Sequence, residues 1–175
     1  MAETDAFAAA RSYVSHSVTG LVIEAGGEVT SRPMFRHDPS SAPVRDVGPA
    51  DGMRAARAVE LAARKEALRY IKEGRQDGLT WMDIGTALGI TAGGHNAAGA
   101  VAEAAFDYAA GSPDSSYAQT YGRSFPWRCP VCQGLVSDRG PYNSPHDNEP
   151  GHEAGCERLA ATVAAWDAQW EDFDG

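Results

Sequence analysis

Cysteine is scarce in this chain, with three among 175 residues. So few, and an odd number, imply no disulfide framework. Long apolar runs are missing as well. None approaches the ~20 residues needed to cross a bilayer, which argues against a membrane-spanning helix. The opening MAETDAFAAARSYV places Glu3 and Asp5 where a secretory signal carries positive charge, with no long apolar stretch behind them. A soluble, cytoplasmic protein is expected. Cations are lacking where acids abound: residues 129–175 hold two Lys/Arg against nine Asp/Glu, a balance of −7. Residues 76–128 hold two against five, or −3, and residues 1–75 hold eleven against ten, or +1. Nucleic-acid binding draws much of its affinity from Lys and Arg, so any such contact belongs to the N-terminal half. Catalytic signatures are absent too. There is no G-x-S-x-G elbow, no phosphate loop, no H-E-x-x-H and no dinucleotide fingerprint. A zinc deaminase needs its His-x-Glu before the Cys pair, whereas CPVC here precedes HEAGC. The chain is not expected to be an enzyme.

What is present reads as a globular protein, with 43% hydrophobic and 22% charged residues. Residues 4–15 suggest a short helix capped by Thr4 or Asp5. The stretch SVTGLVIEAGGEVTSRPMF, divided by Gly26 and Gly27, suggests a hairpin, and residues 37–52, rich in Pro, Ser, Asp and Gly, a loop. A strong helix follows in MRAARAVELAARKEALRYIKEG, with Asp51 as N-cap and Gly74 as stop. Its apolar face centres on Leu61, Leu68 and Ile71. Arg54, Arg57, Arg64, Lys65, Arg69 and Lys72 make the remainder basic. Shorter helices are expected in LTWMDIGTALG and AAGAVAEAAFDYAAG. The closing helix carries Leu159, Val163, Trp166, Trp170 and Phe173 at steps of four and three, one stripe of its surface. The expected division is an N-terminal segment 1–52, a helical domain 53–111, a linker 112–126 and a module 127–175.

That module uses all three cysteines. Cys129 and Cys132, in WRCPVCQG, have the two-residue gap that aims both sulfurs at one ion, with Pro130 stiffening the turn. Gly134 would let the chain swing past the metal and turn backbone amides toward the thiolates. Cys156 is the third sulfur. His152, four residues before it in GHEAGC, would share one face of the first helical turn and complete the four ligands that a tetrahedral site needs. His146 is the alternative histidine. QGLVSDRGPYN would form a hairpin between the ligand pairs. A lone C-x-x-C could instead be a redox pair, but C-x2-C-x19-H-x3-C favours structural Zn²⁺. The fold expected is mainly α, with a small hairpin-and-helix zinc module at the C-terminus.

GLTWMDIGTALGIT resembles the first helix and turn of bacterial helix-turn-helix domains, in the W-x-x-I-G-x-A-L-G-[IV]-[ST] version common in actinobacterial proteins. Trp81, Ile84, Gly85, Ala87, Leu88, Gly89, Ile90 and Thr91 carry the match. The resemblance implies that Trp81, Ile84 and Leu88 pack inward, that Gly89 takes the left-handed turn conformation, and that Thr91 caps the next helix. The following helix has no Lys or Arg, so it offers little to phosphates or guanine edges. Residues 55–172 as a whole look like small actinobacterial proteins of the Streptomyces type, with a helix-turn-helix-like segment and a C-terminal Cys-Cys-His-Cys zinc module. That resemblance implies an organisation and no activity.

The function expected is a zinc-stabilised regulatory or adaptor protein that binds a protein partner or a second copy of itself. Trp166, Trp170 and Phe173 either pack inward or form the partner surface. The alternative is a DNA-binding regulator using Arg54, Arg57, Arg64 and Lys65 of the basic helix with His95 and Asn96.

Overall fold

Glycine ends three of the helices by one mechanism. In the computed structural model, which describes residues 2–35, 37–94, 96–111 and 122–171, α1 spans Ala2–Glu24 and α2 spans Pro49–Asp77. The third of these helices, α3, spans Trp81–Ala87. Each runs into a glycine of positive φ: Gly26 at 73°, Gly78 at 96° and Gly89 at 72°. Behind each, two amides reach back to orphan carbonyls. Gly27 N donates to Val22 O at 2.8 Å and Gly26 N to Ile23 O at 2.9 Å. The same pairing links Leu79 and Gly78 to Gly74 and Arg75, and Ile90 and Gly89 to Gly85 and Thr86. All three are Schellman caps, which an L-residue side chain would strain.

These caps correct two expectations. Gly26 and Gly27 close a long helix and do not divide a hairpin. The hairpin lies later, with β1 (Val29–Phe35) antiparallel to β2 (Asp38–Val47), so most of the expected loop 37–52 is strand. Pro33 pairs with Pro43, and the register shifts before Phe35 meets Asp38. Prolines at this density suit an isolated two-stranded ribbon, where many N–H groups face no neighbour. Likewise α2 starts at Pro49, which tolerates a first-turn position, and runs past Gly74 to the cap at Gly78.

The chain divides into two compact units, Met1–Ala67 and Leu68–Gly175. The division falls inside α2, and residues 112–121 of the expected linker lie outside the described residues. Among the described residues of the first unit Val22 and Ala55 are the buried hydrophobics, while Phe7, Tyr13, Met53 and Leu61 are exposed. The second unit holds a continuous core, including Ile71, Trp81, Ile84, Phe106, Trp127 and Val136. Two of the cysteines, Cys129 and Cys156, belong to that core.

Within the second unit α3 packs on α4 (Ala97–Ala110). Thr80 caps α3 by a reciprocal box with Asp83: Asp83 N donates to Thr80 Oγ1 at 3.1 Å and Thr80 N to Asp83 Oδ2 at 2.9 Å. The Thr80 hydroxyl and amide hold the Asp83 carboxyl below its ordinary value. Gly85 lets the helices close up, since a Cβ there would stand 2.5 Å from Val101 Cγ1. Trp81 and Ile84 are buried as expected, but Leu88 is 36% exposed. Thr91 does not cap α4. Asn96 holds that position without a side-chain cap bond, because residues 88–96 separate the helices where a helix-turn-helix turn has roughly three or four.

Candidate metal centre

The centre begins with a turn. Strand β3 (Phe125–Arg128) pairs antiparallel with β4 (Leu135–Asp138), Trp127 opposite Val136 and Phe125 opposite Asp138. The expected hairpin inside QGLVSDRGPYN is therefore corrected: only β4 comes from it, and its partner precedes the cysteines. The connecting turn is CPVCQG itself. Cys129 N donates to Gly134 O at 3.0 Å and Gln133 N to Cys129 O at 2.9 Å. Gln133 takes the left-handed conformation, φ 60°, that closes so tight a loop.

The second ligand pair reaches the first along the free edge of β4. Ser137 N donates to Pro150 O at 2.8 Å and Arg139 N to Asn148 O at 2.7 Å. These bonds draw in the chain that follows the short helix α5 (Pro145–Asn148). Gly151, at φ 109°, then crosses so near the hairpin that a Cβ would lie 2.1 Å from Leu135 O. His152 follows directly. Cys156 stands where α6 (Glu157–Glu171) begins, its carbonyl accepting from Ala160 N at 3.0 Å. The expected helical relation of His152 to Cys156 is thus absent; the crossing at Gly151 positions the histidine.

Ligand atoms of Cys129, Cys132, His152 and Cys156 all lie within 4.8 Å of one another, close enough to hold a metal ion. Cys129 Sγ is 3.8 Å from Cys156 Sγ, and Cys132 Sγ is 3.6 Å from His152 Nδ1. His146 is not a member of that cluster, and its side chain is 79% exposed beside Asp147. The Glu153 amide, with smaller help from the Gly134 amide and His152, draws the Cys132 thiol down to about 6. Burial pushes the Cys129 thiol up instead. One sulfur is thus ready as a thiolate at neutral pH, while the buried one needs a cation to ionise.

Behind His152 lies a buried charge network that sequence reading missed. His152 Nε2 is 3.3 Å from Glu149 Oε2, which leaves Nδ1 for the metal. Glu149 also accepts from Arg75 Nη2, and from Arg158 Nη1 at 3.5 Å. Arg75 donates its Nε to Asp138 Oδ2 at 2.8 Å and its Nη1 to Leu79 O at 2.5 Å. Asp138 accepts three further bonds, from Trp81 Nε1 at 3.0 Å, Trp127 Nε1 at 3.2 Å and Gly140 N at 2.9 Å. Trp127 meets the His152 ring edge-on at 5.7 Å. Asp138 and Glu149 look like surface acids in the sequence, and Arg75 like one more cation of a basic helix. The only local signal was the Asp-x-Gly order of Asp138 and Gly140, which permits the side-chain-to-amide turn seen here.

Among the described residues, the other predicted site residues lie apart from this cluster. Arg54 pairs with Asp51 and Arg57 with Glu60, on exposed surface. Arg64 and Lys65 are exposed on α2, and Asn96 is exposed at the start of α4. Trp166 is half-buried. His95, Phe173 and the side chain of Trp170 lie outside the described residues. No family model matches the chain, nor does any curated protein or solved structure. Among the described residues no helix is long and apolar enough to cross a membrane.

The close crossing makes one glycine decisive. A Cβ on Gly134 would stand 2.3 Å from Gly151 O and 3.3 Å from Cys132 Sγ. Gly134→Ala is expected to force the two ligand-bearing segments apart at a cost of about 1–3 kcal/mol. Urea denaturation of the metal-loaded protein measures this; an unchanged midpoint would contradict the crossing.

Proposed function

We propose that residues 68–171 form a module held together by structural Zn²⁺, in a cytoplasmic adaptor or regulatory protein that works through protein–protein contacts. One observation carries the metal assignment. A tetrahedral zinc ion bonded at about 2.3 Å to sulfur and about 2.1 Å to nitrogen has edges of about 3.8 Å (S–S) and about 3.6 Å (S–N). Cys129–Cys156 and Cys132–His152 are separated by 3.8 and 3.6 Å. Four protein ligands close such a site, which favours a structural role over catalysis. Zinc would supply folding free energy there and fix the three thiols as thiolates.

The adaptor reading draws support from the first unit. A segment of that length with so little buried apolar surface gains little stability alone, and exposed aromatic and aliphatic side chains mark surfaces that another protein covers. DNA binding has less to recommend it, because α4 carries no cation and Arg54 and Arg57 are already paired. Native mass spectrometry of the freshly purified full chain tests both parts. It is expected to show one zinc per chain, removed by a chelator, together with a dimer or a bound protein. Zinc well below one per chain sinks the metal assignment. A bare monomer that shifts random DNA at low salt sinks the adaptor reading.

A further inference from the structure

We propose that His152, Glu149, Arg75 and Asp138 form a metal-responsive latch, through which occupancy of the centre fixes the end of α2 and Trp81 of α3. The inference rests on the metal assignment above and adds to it the route by which occupancy of the centre reaches two helices. Each link is an observed contact: His152 Nε2 to Glu149 at 3.3 Å, Glu149 to Arg75 Nη2, Arg75 Nε to Asp138 at 2.8 Å, Asp138 to Trp81 Nε1 at 3.0 Å. Side chains of all three charged members are at most 8% exposed, so solvent screens them little. The chain is branched and redundant where it meets the helices. Arg75 spends its third donor on Leu79 O, directly before the Thr80 cap of α3, and its own carbonyl accepts from Arg158 Nη2.

Metal on Nδ1 fixes the tautomer that donates from Nε2. Without metal nothing pins Nδ1, so the His152 ring is no longer held against Glu149, and the buried Glu149–Arg75 pair loses that support. The ends of α2 and α3 then lose the anchor that holds them. Thermodynamic reciprocity gives the same link in reverse: weakening Asp138's hold on Trp81 must weaken metal binding, though Trp81 is not a ligand.

The test compares three variants of the full chain by zinc–chelator competition and by hydrogen exchange of the zinc-loaded protein. Glu149→Gln is expected to keep one zinc but bind it about 10–100-fold more weakly, with faster exchange over residues 71–87. Trp81→Phe is expected to lose about tenfold in zinc affinity. Phe106→Leu, which thins the same core and meets the Trp81 ring edge-on at 5.2 Å but removes no hydrogen bond or ion pair of the latch, supplies the control at matched stability and should change affinity far less. Equal affinity losses in Trp81→Phe and Phe106→Leu would reduce the effect to general destabilisation and overturn the latch. Unchanged affinity and exchange in Glu149→Gln would do the same. A wild-type chain without zinc instead defeats the metal assignment, so the two failures are distinguishable. Should Glu149→Gln not fold, the Trp81→Phe and Phe106→Leu comparison decides alone.

Discussion

Stripping the proposed zinc from the centre is expected to unfold residues 68–171, the contacts at the ends of α2 and α3 being lost with it. Structural zinc contributes ~10–16 kcal/mol of apparent free energy to small modules, while whole domains are stable by only about 5–15 kcal/mol. The ligands here are no appendage to a core that would survive them. Cys129 is 0% exposed and Cys156 7%, and both pack in the same cluster as Trp127, Val136 and Phe106. Without a cation, Cys129 must stay a buried neutral thiol, as its raised pKa indicates. The turn that carries it also lacks a strong helix or sheet to hold it, since β3 and β4 are four residues each and an isolated hairpin is marginal in water. Trp81 and Trp127, buried at 4% and 2% exposure, report the change directly. Chelator should shift tryptophan emission to the red and abolish the near-ultraviolet circular dichroism. A stripped protein with native near-ultraviolet signal and a cooperative melt would show that the core stands without metal. Lower pH should mimic chelation, because each ligand must be deprotonated to bind; the stability that the proposed zinc supplies is expected at neutral pH and to be lost as the thiolates take up protons.

Membership of the Cys–His cluster was legible in the sequence for the cysteines, whereas His152 was chosen for a helical relation to Cys156 that the structure lacks. Two residues between Cys129 and Cys132 permit one turn, and the only other cysteine has a histidine beside it. The end of α2 was less legible. Glycine marks a cap, but Gly74 and Gly78 are both candidates, and only the backbone bonds to Gly74 and Arg75 choose between them. The N-terminal hairpin was misplaced for a related reason. Its strands carry Pro33, Pro39 and Pro43, which read as breakers when the partner strand is unknown. The apolar face of α2 was read as centred on Leu61, Leu68 and Ile71, yet Ile71 is buried while Leu61 is 52% exposed. Periodicity reports which residues can face a core and is silent on how far the core extends. The latch was least legible of all. Arg75 lies 63 residues from Asp138 and 74 from Glu149, and a charge gives no local sign that it will be buried.

Arg75→Ala is expected to destabilise the zinc-loaded protein by about 3–5 kcal/mol, the cost of removing one partner from a buried ion cluster. The reason is what stays behind. Asp138 and Glu149, both nearly inaccessible to solvent, would face each other's charge with Arg158 as the remaining cation beside Glu149. Asp138 would keep its indole and amide donors, but neutral donors offset a buried charge only in part. Arg75→Lys tests whether charge or shape matters. The guanidinium sends separate nitrogens to Asp138, Leu79 O and Glu149, and one ammonium on a flexible stem cannot hold that fork. Lysine should therefore recover only part of the loss. Arg69→Ala provides the contrast on the same helix. Its Arg69–Glu73 pair, at 2.6 Å, is about half exposed on both sides, so removal should cost less than about 1 kcal/mol. Urea unfolding of the three zinc-loaded variants reads the ordering. If Arg75→Ala and Arg69→Ala shift the midpoint equally, Arg75 is a solvated surface cation, and the buried network has no energetic weight.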